Sequence, residues 1–230
     1  MENRVRNLSG GLLATKIFNS FVQNKRPWAL SRTLLSDNHL ELQGELNGVA
    51  FFQHNQNGDL VYEEMGDMSG VAKNMTGMKW SRKYIWKMGS KPECQHASDL
   101  SVWFAKVSQT NSKEPGPGGY NDTPEADYLF HKLEFLSEPV MIENNTENGV
   151  AQGLLVPPPV PDISTKVFLA RGSHLCVNDM YATTYAFRVS DDDELDVKSW
   201  STRHVVNGPK KSQHIVNMYQ RTSGDDSLSQ

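Results

Sequence analysis

Residues 173–187 read SHLCVNDMYATTYAF, which sets a histidine, a cysteine, an aspartate and two tyrosines in one short run. Several chemistries draw on such groups. A histidine and a cysteine two residues apart can begin a metal site, but no third ligand at a zinc-like spacing accompanies His174 and Cys176. His174 can act as an acid or base at a strand end. The alternative is a turn in which Asp179 caps backbone amides and Cys176 is a small core residue. Tyr181, Thr183 and Tyr185 share one strand face and suit the wall of a binding cup.

Alternation identifies further candidates. In WSRKYIWKM (80–88), Lys83, Ile85 and Lys87 form the face for water, so Arg82, Tyr84 and Trp86 point inward. A buried guanidinium needs a carboxylate or an oxygen-bearing ligand, and Glu63 or Glu64 on the preceding segment is the expected partner. Without that partner, Arg82 becomes the group to polarise a ligand oxygen. In DYLFHKLEFL (127–136), Leu129, His131 and Leu133 make the apolar face, which places His131 inside. Trp200, His204 and Val206 share a face, as do Ile215, Asn217, Tyr219 and Arg221. His131 and His204 can titrate near neutrality inside a cup, or can be satisfied core residues. The catalytic candidates are therefore Arg82, His131, His174 and His204. The candidate wall is aromatic (Tyr84, Trp86, Phe104, Tyr181, Tyr185, Trp200 and Tyr219), with Leu129 and the polar Asn217 among the rings.

These residues need elements to position them. Ser9 can cap a helix over 9–24, with Leu12, Leu13, Ile17, Phe18 and Phe21 at helical spacing. After Pro27 the chain becomes short alternating segments divided by Gly, Asn, Asp and Pro: 28–35, 40–54, 60–66, 80–88, 101–108, 127–136, 166–176, 180–189, 194–206 and 212–221. About ten strands in neighbour order predict an all-β fold, an antiparallel up-and-down barrel with an N-terminal helix packed on it or plugging one end. A barrel that wide is not filled by its own side chains, so a cavity is expected. The expected organisation is a helical segment (1–24), a barrel domain (25–222) and a disordered tail (223–230). KEPGPGGYNDTPE (113–125) and the Pro-rich 139–164 read as loops at an open barrel end.

The chain has 230 residues, a net charge of −4 and two cysteines, Cys94 and Cys176. That balance gives no electrostatic reason to bind nucleic acid or an acidic membrane. No disulfide framework, apolar membrane-spanning run or signal-peptide core is present in the sequence, so a reducing, cytoplasmic setting is expected. GxGxxG, P-loop, GxSxG and HExxH motifs are missing, and no cofactor or metal is implied. A homodimer stays open.

The order W-x-L-x-R (28–32), G-x-x-x-G-x-A-x-F (44–52), V-Y-E-E-M-G (61–66), S-R-x-Y-x-W (81–86), H-L-C-x-x-D-x-Y (174–181) and G-P-K-K…I-x-N-x-Y-x-R (208–221) resembles the DUF6314 family of lipocalin-like β-barrels of largely unknown function. The resemblance implies that Trp28 and Arg221 close the barrel between first and last strands, with the arginine on the indole. His204 stands where the family usually has an aromatic, and the loops at 108–126 and 137–165 are longer than usual. Both departures suit a specialised member. By analogy of fold, lipocalin-like barrels serve as cyclases, dehydratases and pericyclases. The expectation is a cofactor-free enzyme of secondary metabolism acting on a hydrophobic small molecule by dehydration, cyclisation or Diels–Alder-type cycloaddition. The alternative is a non-catalytic carrier of an apolar ligand. An interaction module using the Pro-rich segment would instead predict a cavity filled by side chains.

Overall fold

The computed structural model describes residues 9–38, 41–69, 77–89, 100–106, 124–136, 138–140, 150–151, 154–209 and 211–222. Helix α1 (Gly10–Gln23) begins where the Ser9 side chain accepts from the Leu12 N–H, and it buries Leu13, Ile17, Phe18 and Phe21. Leu12, a neighbour in sequence, is exposed. The strands follow: β1 (Trp28–Ser36), β2 (Gly44–His54), β3 (Leu60–Asp67), β4 (Lys79–Met88), β5 (Leu100–Ala105), β6 (Ala126–Lys132), β7 (Glu134–Phe135), β8 (Val150–Ala151), β9 (Leu154–Leu155), β10 (Thr165–Cys176), β11 (Asp179–Ser190), β12 (Val197–Asn207) and β13 (Ser212–Arg221). Eleven of them form one antiparallel sheet in the order β6-β5-β4-β3-β2-β1-β13-β12-β11-β10-β7, and β8 and β9 form a separate ribbon. The fold is the expected up-and-down barrel, nearly closed. No helix among the described residues is long and apolar enough to cross a membrane.

First and last strands meet over their whole length, from Trp28 opposite Arg221 to Ser36 opposite Gln213. The Arg221 guanidinium lies 5.3 Å from the Trp28 ring centre and also donates to Asp196 Oδ1 at 2.8 Å. The β2 and β3 backbones approach closely where Gly48 faces Gly66. A Cβ on Gly48 would stand 2.2 Å from the Met65 carbonyl oxygen, and one on Gly66 would stand 2.3 Å from that of Asn47. Only glycine permits so close an approach, and the Trp80 indole covers Gly66 from the next strand.

The expected strand over 127–136 is two strands. At Leu133 the chain switches partners. β6 pairs with β5, whereas β7 pairs with β10 through Phe135 opposite Ala170. Above that switch β6 and β10 lie side by side without a ladder, leaving a seam in the barrel wall. A register shift between Val102 and Trp103 also turns Phe130 inward, so Phe130 rather than Leu129 lines the interior.

The helix plugs the end opposite the mouth. Phe21 stacks on Phe52 with ring centres 4.2 Å apart, and it meets the rings of Trp28, Trp86, Phe187 and Trp200 at their edges. Ser20 latches the helix to β12, donating to Asp196 Oδ1 (2.6 Å) and accepting from the Val197 N–H (2.8 Å). This apolar plug fills the lower half of the barrel and confines open space to the upper half.

The described part of the long Pro-rich segment is not a lid. Leu155 packs with Val167, Leu169 and Ala186 on the outer wall. Arg188, fully buried, donates to the carbonyls of Pro157 (3.2 Å) and Pro158 (3.1 Å) and to Thr165 Oγ1 (3.0 Å). The prolines are thus held against the protein's own sheet. Residues 113–123, 141–149 and 223–230, which include most of the first expected loop and the expected tail, lie outside the described residues.

Candidate functional site

Inward-facing residues of β1, β3, β12 and β13 form a continuous polar chain beneath the mouth. Arg32, 3 % exposed, donates through Nη2 to Glu64 Oε1 (2.6 Å) and through Nε to Asn217 Oδ1 (2.6 Å). Its guanidinium lies 4.5 Å over the Trp80 ring. Glu64, 2 % exposed, accepts from the Tyr62 hydroxyl at Oε2 (2.7 Å), and that hydroxyl stands 2.8 Å from the one on Tyr219. Burial and the Glu64 charge push the Tyr62 hydroxyl well above the ordinary tyrosine range.

The chain runs on to His204. Asn217 Nδ2 donates to Thr202 Oγ1 at 2.7 Å, and that oxygen lies 3.3 Å from His204 Nε2. His204 Nδ1 lies 2.9 Å from Thr183 Oγ1, one ring nitrogen donating and the other accepting. Both ring nitrogens are engaged, so His204 serves as wall.

Above this chain lies a chamber of about 40 Å³, lined by Arg32, Tyr62, Glu64, Arg82, Tyr84 and Asn217 among others. It shares Arg82, Tyr84, Phe130 and His204 with a vestibule of about 810 Å³, so the two are continuous. Tyr84, Phe104, Phe130, Tyr181 and Ile215 wall the vestibule, and Lys83, Lys106 and Lys211 stand on its rim. These lysines pair with Glu63, Glu125 and Asp179 respectively. Arg82 sits at the neck and has no carboxylate within 4.0 Å among the described residues. Burial pushes the neighbouring Tyr84 hydroxyl upward, against the pull of the Arg82 charge.

Several sequence-based expectations need correction. Arg82 faces inward as expected but is exposed rather than buried. Its neighbour Glu64 is paired with Arg32 instead. His131 is 2 % exposed, but it lies in the seam behind the cavity wall. Its Nε2 is 2.7 Å from the Tyr185 hydroxyl, and its ring occupies the space where a Cβ on Gly172 would be. Leu129 lines an outer groove over that seam. Cys176 is exposed, and Asp179 meets Lys211 at 3.4 Å across the hairpin turns. His174 lines that same outer groove rather than the vestibule, with ring centres 5.5 Å from Phe130 and 6.3 Å from Tyr181. Trp86, Tyr185, Trp200, Asn217 and Tyr219 all line the chamber. No group of three or more potential metal ligands occurs among the described residues.

Nor do the two interior histidines titrate near neutrality. Burial, reinforced for His204 by His131 and the two arginines, holds both down to about 3. In the unfolded chain each returns to about 6.5. Between those values the unfolded state binds more protons, so stability is full above about pH 6.5 and falls as pH drops toward 3. Urea denaturation at pH 7 and pH 5 should show that loss, and His131→Gln should flatten it. Equal pH dependence in the variant would contradict the assignment.

A family model described as a family of unknown function, DUF6314, matches residues 25–151 and 160–221. No curated protein and no solved structure matches the chain.

Proposed function

Since the chain belongs to the DUF6314 family, whose function is unknown, its activity has to be read from its own geometry, and we propose that it is a cofactor-free, small-molecule-converting barrel. Its mouth holds a hydrophobic, oxygen-bearing molecule against Tyr84, Phe104, Phe130 and Tyr181 and promotes its cyclisation or cycloaddition, a reaction type at home in secondary metabolism. The observation that carries this reading is Arg82, a guanidinium at the neck of an aromatic cup with no carboxylate within 4.0 Å among the described residues. Such a donor stabilises negative charge that develops on a ligand oxygen, and the rings hold a reactive conformer. A cycloaddition only redistributes bonding electrons within the substrate, so it requires neither an external oxidant nor a proton acceptor. Dehydration fits less well, because it needs a group to move a proton and both interior histidines are held neutral and hydrogen-bonded.

That same feature favours a second reading, a carrier, in which Arg82 merely orients the ligand. The two part on conversion. With the ligand extracted from the native protein or its precursor as substrate, Arg82→Ala should slow conversion by about 100-fold or more if the guanidinium stabilises the transition state. Conversion at the uncatalysed rate by the wild type, with binding intact, leaves the carrier.

A further inference from the structure

We infer that the 40 Å³ chamber is an anion subsite that takes the carboxylate head of an amphipathic acid, whose apolar body lies in the vestibule. This rests on reading the mouth as a ligand site and specifies which ligands it takes. Arg32 is buried and lines the chamber, yet only its Nε and Nη2 are bonded, to Asn217 and Glu64. Its Nη1 has no hydrogen-bond partner among the described residues, and it is not one of their fully enclosed orphan atoms. A guanidinium edge inside the barrel is therefore free to meet a ligand.

The charges point the same way. Among the described residues, Arg32 and Arg82 bring two cations to the chamber and Glu64 is the one carboxylate on its wall. Both Glu64 oxygens are already engaged, by Arg32 and by Tyr62. One positive charge, that of the exposed Arg82, is left over at the neck, and an anion is its natural complement. Arg82 spans chamber and vestibule, so an acid entering from the mouth meets it first and Arg32 second. The Tyr84 hydroxyl lies on the same wall as a neutral donor.

Size narrows the anion. A water needs roughly 10–15 Å³ on this measure, so the chamber holds about three water-sized groups. That matches the three heavy atoms of a carboxylate. The rim lysines do not compete for this role, because each is paired with its own acid.

Titration calorimetry with phenylbutyrate and its uncharged isostere phenylbutyramide tests the subsite on the intact protein. The acid should bind about tenfold or more tighter than the amide, the scale of a charge-assisted hydrogen bond. Arg82→Gln should bring the two together. That side chain is exposed and makes no ion pair among the described residues, so the variant leaves no buried carboxylate stranded. Arg82→Lys should keep part of the preference. Equal binding of acid and amide by the wild type would overturn the anion subsite while leaving the cup intact, as would an undiminished acid preference in Arg82→Gln. Failure of both probes to bind at millimolar concentration would overturn the subsite and the mouth reading together.

Discussion

Arg32→Met is expected to lower the unfolding free energy by about 3–5 kcal/mol, the scale of stranding one member of a buried ion pair. Glu64 would be left 2 % exposed with a charge and no cation, since Arg82 makes no ion pair with it. The loss is larger than the pair's own worth, because most of it is the desolvation of the abandoned carboxylate. The double variant Arg32→Met/Glu64→Met should therefore recover most of the single variant's loss. Lys106→Met provides the comparison: its ion pair with Glu125 is solvent-exposed on both sides and should leave the urea midpoint unchanged. A single-variant loss as small as that of Lys106→Met, or a double variant no better than the single, would mean that the Arg32–Glu64 pair is not the closed unit described.

Phe21→Ala should cost a similar amount, about 3–5 kcal/mol, for a different reason. Its ring is fully buried and touches rings from β1, β2, β4, β11 and β12 at once. Truncation opens a void at the centre of the barrel that no neighbour can close without leaving its own contacts. Phe21→Leu should lose clearly less. A loss below about 1 kcal/mol in Phe21→Ala would show that the helix merely rests against the barrel.

Much of this fold was legible from alternation alone, because each strand has one face on a shared core. Trp28, Leu30 and Leu34 on one face of β1 and Trp200 on one face of β12 follow directly from period two. The same pattern puts Arg32 on the apolar face of W-x-L-x-R, and Tyr62 and Glu64 on that of L-V-Y-E-E. Arg32 and Tyr62 are the site residues that sequence reasoning passed over, and Glu64 was read only as a partner for Arg82; the signal was a charge at an apolar position. Depth along the barrel was not legible. Arg82 and Arg32 obey the same periodicity, yet one stands at the neck and the other beneath it. Register slips were also hidden. The shift at Val102 and Trp103 exchanges Leu129 for Phe130 at the wall, and the break at Leu133 draws His131 into the seam. Both depend on the β5 and β10 partners, which local pattern does not contain. The anchoring of the described part of the Pro-rich segment was hidden for a similar reason: its anchor, Arg188, lies some thirty residues away.

The polar chain from Glu64 through Arg32, Asn217 and Thr202 to His204 and Thr183 gives the site its character. It fixes the side chains at the chamber without supplying a group that exchanges protons near neutrality. On the proposed reading, positioning and electrostatics would be the means by which this barrel acts on a ligand, with the aromatic vestibule supplying the positioning.

The central claim, that the mouth is a ligand site, is tested most directly by native mass spectrometry of the protein purified from its own source. The account predicts a discrete added mass that is released on denaturation and is depleted in Arg82→Ala. The bare chain mass alone, with no small molecule recovered from the wild type, would contradict it.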